Sequence, residues 1–122
     1  MPRYRRFIAL GIVMAIGLTA CGGGGSEASS PLGVAVDSLE LTESGAAGLA
    51  VYEAKCAVCH RSDLLGATGK ALGPLSAAAD KPAEELRRII TDGASGMPSW
   101  GGVLSEQEIA DVVAFLLEAQ GR

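Results

Sequence analysis

The chain has 122 residues, with ten Lys and Arg against fourteen Asp and Glu and a formal net charge of −4. Three of the basic residues lie within the first six positions and every acidic one lies beyond residue 21, so the rest of the chain is acidic, which excludes nucleic acid and anionic lipid as binding surfaces. Only three cysteines occur, Cys21, Cys56 and Cys59, too few for a disulfide scaffold.

Residues 1–20 read as an export signal. Arg3, Arg5 and Arg6 form a basic start, and Phe7 to Ala20 is apolar apart from Gly and Thr19. That run is shorter than the ~20 residues needed to span a bilayer, which suits a signal-peptide core. It ends Leu18-Thr19-Ala20-Cys21, which resembles the bacterial lipoprotein signal. The resemblance implies cleavage before Cys21, lipidation of its sulfur, and anchoring to a membrane facing the periplasm or the cell exterior. An ordinary secretory peptide, with Cys21 left as an odd thiol, and an uncleaved signal anchor are the alternatives. Several acyl chains would hold the protein stably, where one would not.

Residues 21–41 are expected to form the lipidated N-terminus and a flexible linker. Gly22 to Ser30 is built from Gly, Ser, Glu and Ala, and a coil of this kind from residue 22 to residue 42 reaches about 25 Å. Residues 42–122 form the one predicted domain. A domain this small seldom buries enough apolar surface alone, and its aromatics are only Tyr52, Trp100 and Phe115. Something large and apolar is required to complete the core.

Three main helices are predicted and no strands, so the fold class is all-α. Thr42 can cap a first helix carrying Leu49, Tyr52 and Cys56 on one stripe. A Gly-rich loop follows from Leu64 to Ala79. Pro82, Glu84 and Glu85 suit the start of a second helix, with Leu86, Ile89 and Ile90 as its buried side and Gly93 as its stop. Ser105 and Glu108 have capping-box spacing, and the last helix places Ile109, Val112, Val113 and Leu116 on one face with Phe115 beside them.

Cys56-Ala57-Val58-Cys59-His60 is a C-x-x-C-H haem-attachment motif. Two sulfurs three residues apart on a helical turn face one way, where each can form a thioether with a haem vinyl group. His60 then stands next in line as proximal iron ligand. Two other chemistries use the same spacing. A thiol-disulfide pair expects a βαβ setting, which the helical pattern does not provide. A structural zinc site wants four N or S ligands, and beyond Cys21 the chain offers two Cys and one His.

His60 is the only histidine, and Met97 the only methionine outside the leader. Bis-His ligation within one chain is therefore excluded, and Met97 is the candidate sixth ligand. It lies in Gly93-Ala94-Ser95-Gly96-Met97-Pro98-Ser99-Trp100, a loop loosened by glycine and stiffened by Pro98. A core-filling methionine is the alternative, although the loop is polar for a core. A thioether ligand would raise the potential and fill the site, pointing to electron transfer instead of substrate or gas binding.

From Thr42 to Gln120 the chain resembles small class I bacterial cytochromes c. The resemblance rests on Gly48 and Tyr52 before the haem motif, Cys56-x-x-Cys59-His60, Gly73-Pro74, the helix ending at Gly93, Gly96-Met97-Pro98 and an aromatic-bearing last helix. It implies a small cytochrome c fold with three helices around one covalent haem c. It also implies a close crossing of first and last helices, with Gly48 and Phe115 as the candidate pair, and a proline carbonyl, here that of Pro74, accepting the second N–H of the proximal imidazole. Trp100 is placed either at the haem edge or in the core. Lys55, Arg61 and Lys70 flank the motif without defining a docking rim. The implied function is one-electron transfer between redox proteins, a donor and an acceptor, with no small-molecule substrate and no enzymatic activity of its own. A permanent cytochrome subunit of a larger membrane-associated oxidoreductase is the alternative.

Overall fold

A computed structural model describes residues 33–122. The leader, Cys21 and the first part of the expected linker lie outside the described residues. Among the described residues there are four α-helices, one 3-10 turn at Val36–Ser38 and no strand, only an isolated bridge between Ala94 and Met97. None of these helices is long and apolar enough to cross a membrane.

Helix α1 spans Glu43–Lys55 and starts where the Thr42 hydroxyl accepts from the Gly45 N–H. Helix α2, a single turn at Ala57–His60, continues it after a break at Cys56. Helix α3 spans Ala83–Asp92, with Pro82 standing one place earlier than the first turn, at the N-cap. A proline there forfeits nothing, because the first N–H groups of a helix have no partner inside it. Gly93 ends α3 at a φ of 79° that a side chain would oppose. Helix α4 spans Glu106–Ala119 and opens with the reciprocal Ser105 and Glu108 capping box.

The packing is dominated by α1 against α4. Gly48 allows it: a Cβ there would overlap the Asp111 carbonyl and stand 2.9 Å from the Val112 nitrogen. The crossing is thus backbone on backbone at its nearest approach, where main-chain atoms of Asp111 and Val112, and none of the Phe115 ring, are the three atoms nearest a Cβ at Gly48. Phe115 instead packs on Tyr52, ring centroids 5.1 Å apart and tilted by 51°, an arrangement worth ~1 kcal/mol beyond burial. Tyr52, Leu64, Val112 and Phe115 are the most completely buried side chains of the described region. At the far end of the seam, Glu118 of α4 reaches back to the start of α1. Its carboxylate accepts from the Thr42 N–H at 3.0 Å and from the Thr42 hydroxyl at 2.5 Å.

Residues 33–41, expected as the end of a linker, lie against the domain. The Val34 N–H donates to the Asp63 carbonyl at 2.9 Å. Val36 is buried, and Val34, Leu39 and Leu41 pack on the same core. One buried valine and three partly buried aliphatic side chains in eight residues dock the arm, full burial of such a side chain being worth roughly 1.5–3 kcal/mol.

Candidate functional site

The break between α1 and α2 sets the first part of the site. Cys56 closes α1 with its N–H on the Tyr52 carbonyl at 2.8 Å, and its own carbonyl accepts from Cys59 at 3.1 Å and from His60 at 3.0 Å. One turn therefore carries Cys56, Cys59 and His60 together. Both thiols are free, Cys56 buried and Cys59 half-buried. Burial, helped by the neighbouring Cys59, pushes the Cys56 thiol up to about 11. It stays protonated at neutral pH, unlike the activated thiolate of a redox pair.

The chain then turns sharply. Arg61 has φ 65° and ψ 153°, and Leu64 has φ 62°, both in territory that side chains avoid. Three contacts hold this bend. The Tyr52 hydroxyl donates to the Arg61 carbonyl at 2.8 Å. The Arg61 guanidinium grips Asp63 through Nε at 3.0 Å and Nη2 at 2.7 Å, which keeps the Asp63 carboxyl below the usual carboxylate range. Leu64, fully buried, pins the far side.

The following loop folds back over His60. Gly66 donates to the His60 carbonyl at 3.0 Å, and Ala67 and Gly69 donate to that of Cys59 at 3.1 and 2.9 Å. Gly69 has to be a glycine, because a Cβ would stand 2.7–2.9 Å from three atoms of the imidazole ring. His60 Nδ1 lies 2.7 Å from the Lys70 carbonyl. A carbonyl can only accept, so Nδ1 carries the proton and Nε2 presents its lone pair, the form an iron ligand needs. Pro74 does not provide that carbonyl. The glycines at 66 and 69 tighten the loop enough for Lys70 to arrive first, and Pro74 instead sits exposed in the turn closed by Ser76 on Gly73.

Met97 occupies a separate loop bound to the end of α3. Ala94 and Met97 exchange N–H···O bonds at 3.1 and 2.9 Å, Trp100 donates to Ile90 at 3.0 Å, and the Ser99 hydroxyl donates to Thr91 at 2.6 Å. A Cβ on Gly93 would stand 2.7 Å from the Met97 carbonyl, so that glycine is required for the path. Met97 and Trp100 are half-buried and pack on the common core. Cys56, Cys59 and His60 thus form one compact unit, and Met97 is held by its own loop.

These residues fit covalent haem. Two free thiols on one turn adjoin an imidazole whose Nδ1 already has its partner. Val58 and Leu75 stand 83% and 87% exposed, apolar surface of the kind a macrocycle would cover. The zinc alternative lacks its ligands: among the described residues no group of three or more His, Cys, Asp or Glu could hold a metal ion. Sequence reasoning missed Lys70, Gly69 and Asp63. Only Gly69 left a residue-level signal, a glycine in a loop that follows the histidine.

A family model described as cytochrome c oxidase, cbb3-type, subunit III matches residues 43–116. Cytochrome c55X of Stutzerimonas stutzeri is 42% identical over 65 residues, a match covering 52% of this chain and 57% of that relative. Cytochrome c6 of Leptolyngbya boryana is 33% identical over 76 residues, covering 60% of this chain and 89% of the relative. Among solved structures, the c-type cytochrome NirC superposes with a TM-score of 0.52 and 33% identity, over 60% of this chain and 87% of that one.

Proposed function

Because the chain belongs to the family of small class I c-type cytochromes, whose members are electron carriers with one covalent haem c, we propose that it transfers single electrons between redox proteins outside the cytoplasm while tethered to a membrane through a lipid on Cys21. Cys56 and Cys59 would each add S–H across a haem vinyl group, the sulfur bonding one carbon and the proton going to the other. His60 Nε2 and the Met97 thioether would hold the iron. The group supplies a reversible one-electron couple when bound.

The rest is the work of this chain. The Lys70 carbonyl fixes the His60 tautomer and ring plane, Gly69 admits the loop against the ring, and the bonded Ala94–Met97 turn limits the motion of Met97. With both side chains on the iron, no position would be left for a substrate. The observation that carries this reading is the 2.7 Å contact of His60 Nδ1 with the Lys70 carbonyl, which assigns the proton of the neutral ring to Nδ1 and leaves Nε2 for a ligand beside two unpaired thiols.

The test is expression in cells competent to attach haem. The mature protein should be red and heavier than its polypeptide by one haem, and Met97→Ala should lose the methionine–iron charge-transfer band, fall in potential and admit exogenous ligands. A colourless product, or a Met97→Ala variant with unaltered spectrum and potential, contradicts the assignment.

A second reading has its own support. The family model that matches 43–116 is described as an oxidase subunit, which favours a permanent place in a larger membrane-associated oxidoreductase. Gentle detergent extraction separates the two. A fixed-stoichiometry complex supports the subunit, and a free monomer supports the shuttle.

A further inference from the structure

Among the described residues Gln120 carries the one buried side-chain amide, 8% exposed, at the C-cap of α4. A buried amide is costly unless paired. This one is paired: Nε2 donates to the Leu72 carbonyl at 2.8 Å, across 48 positions of sequence. Leu72 in turn donates to the Leu64 carbonyl at 2.9 Å, as Gly73 does at 3.3 Å. Two residues before Leu72 stands Lys70, the acceptor for His60 Nδ1 at 2.7 Å. Leu72 is therefore fastened to α4 through its carbonyl and to Leu64 through its N–H, two residues along the backbone from the carbonyl that meets the imidazole. The neighbouring Arg122 does something different. Its Nη1 donates chiefly to the carbonyls of Ala79 at 3.1 Å and Lys81 at 2.8 Å, farther along the chain, with a long 3.4 Å contact to Gln120 Oε1.

We propose that Gln120 is a positioning residue for His60: by holding Leu72 it keeps the Lys70 carbonyl against Nδ1 and thereby sets how strongly Nε2 donates to iron. The proposal rests on the haem reading above. A close Nδ1–H···O=C bond shifts electron density onto the imidazole and makes it the more basic ligand. Basic axial donation favours ferric over ferrous iron. Loosening the 70–72 segment weakens the bond, and the potential rises.

The experiment compares wild type, Gln120→Leu and Arg122→Ala as matured full-length proteins. Reduction potentials are titrated, and exchange of the His60 Nδ1 proton is followed by NMR in the reduced state. Gln120→Leu keeps the volume but removes the donor. It should raise the potential and speed that exchange about tenfold, the change expected where ~1.4 kcal/mol of local stability is lost. Arg122→Ala loses only the long contact with Gln120 Oε1 and leaves the Gln120–Leu72 bond in place, so it should move both readouts far less than Gln120→Leu. Gln120→Leu behaving like wild type overturns the proposal, and so does Arg122→Ala moving both readouts as far as Gln120→Leu. If Gln120→Leu does not mature, Gln120→Asn, one methylene short of Leu72, is judged by the same criteria. Wild type alone gives a further check. The Gln120 amide protons and the His60 Nδ1 proton should exchange with one shared dependence on denaturant, and unrelated dependences reject the linkage. A wild type without covalent haem would strike the haem reading itself, and a normal wild type with a silent Gln120→Leu strikes only this proposal.

Discussion

Replacing Gly48 by alanine tests the backbone crossing on which the domain depends. Propensity alone favours the change by about 1 kcal/mol, because glycine in a helix interior is costly. The structure opposes it. The new methyl would overlap the Asp111 carbonyl and approach the Val112 nitrogen at 2.9 Å. These are backbone atoms inside α4 and no side-chain rotation can clear them, so the helices must part. Overpacking costs about 1–3 kcal/mol, and a rigid obstruction belongs at the upper end. After subtracting the propensity gain, Gly48→Ala should be destabilising by about 2 kcal/mol. For a domain of this size that lowers Tm by about 10 °C. Thermal and guanidinium unfolding of the haem-loaded protein, followed by far-UV circular dichroism, measures it. An alanine variant as stable as wild type, or more so, would refute the backbone-on-backbone account and leave propensity in command.

Three further outcomes are expected. Tyr52→Phe removes the bond to the Arg61 carbonyl and should cost about 1 kcal/mol at neutral pH. Burial, with smaller contributions from Cys56 and Asp63, raises the Tyr52 hydroxyl in the folded state, so above the ordinary tyrosine value of about 10 the folded chain binds more protons than the unfolded one. Wild-type stability should then fall with rising pH beyond that point more steeply than that of Tyr52→Phe, and equal slopes in denaturant titrations would contradict this. Arg61→Gly should gain about 1 kcal/mol, since relief at φ 65° outweighs a mostly exposed ion pair; a loss of stability in the same assay would show the bend to be unstrained. Cys21→Ser should release the protein from membranes on fractionation, and a correctly cleaved variant that stays in the membrane would refute the lipid anchor.

The helix ends were legible because capping is local chemistry. Thr42, Ser105 with Glu108, and Gly93 announce themselves within four residues of the ends they make. The same holds for the two thiols and the histidine, which one turn brings together. What could not be read is what the backbone provides. Lys70 reaches His60 with a carbonyl that every residue possesses, so Pro74, with a family role behind it, was the more visible choice. The nearest partner of Gly48 is hidden in the same way, because it is the Asp111 main chain. The arm at 33–41 was obscured by the Gly- and Ser-rich stretch before it, although Val34, Val36, Leu39 and Leu41 carry the apolar content of a docked segment. Gln120 gave no sign at all, since a glutamine near a C-terminus is ordinarily solvated.

Both ends of the described chain fasten the same short span. Val34 bonds to Asp63 and its Cγ2 would sit 3.5 Å from a Cβ at Gly73, while Gln120, third from the last residue, grips Leu72. Both clasps join residues far apart in sequence, so the buckle behind the histidine snaps shut only when the chain folds. Before that moment the neighbouring sulfurs are at their least enclosed, and that interval is the natural window for welding a prosthetic group to them.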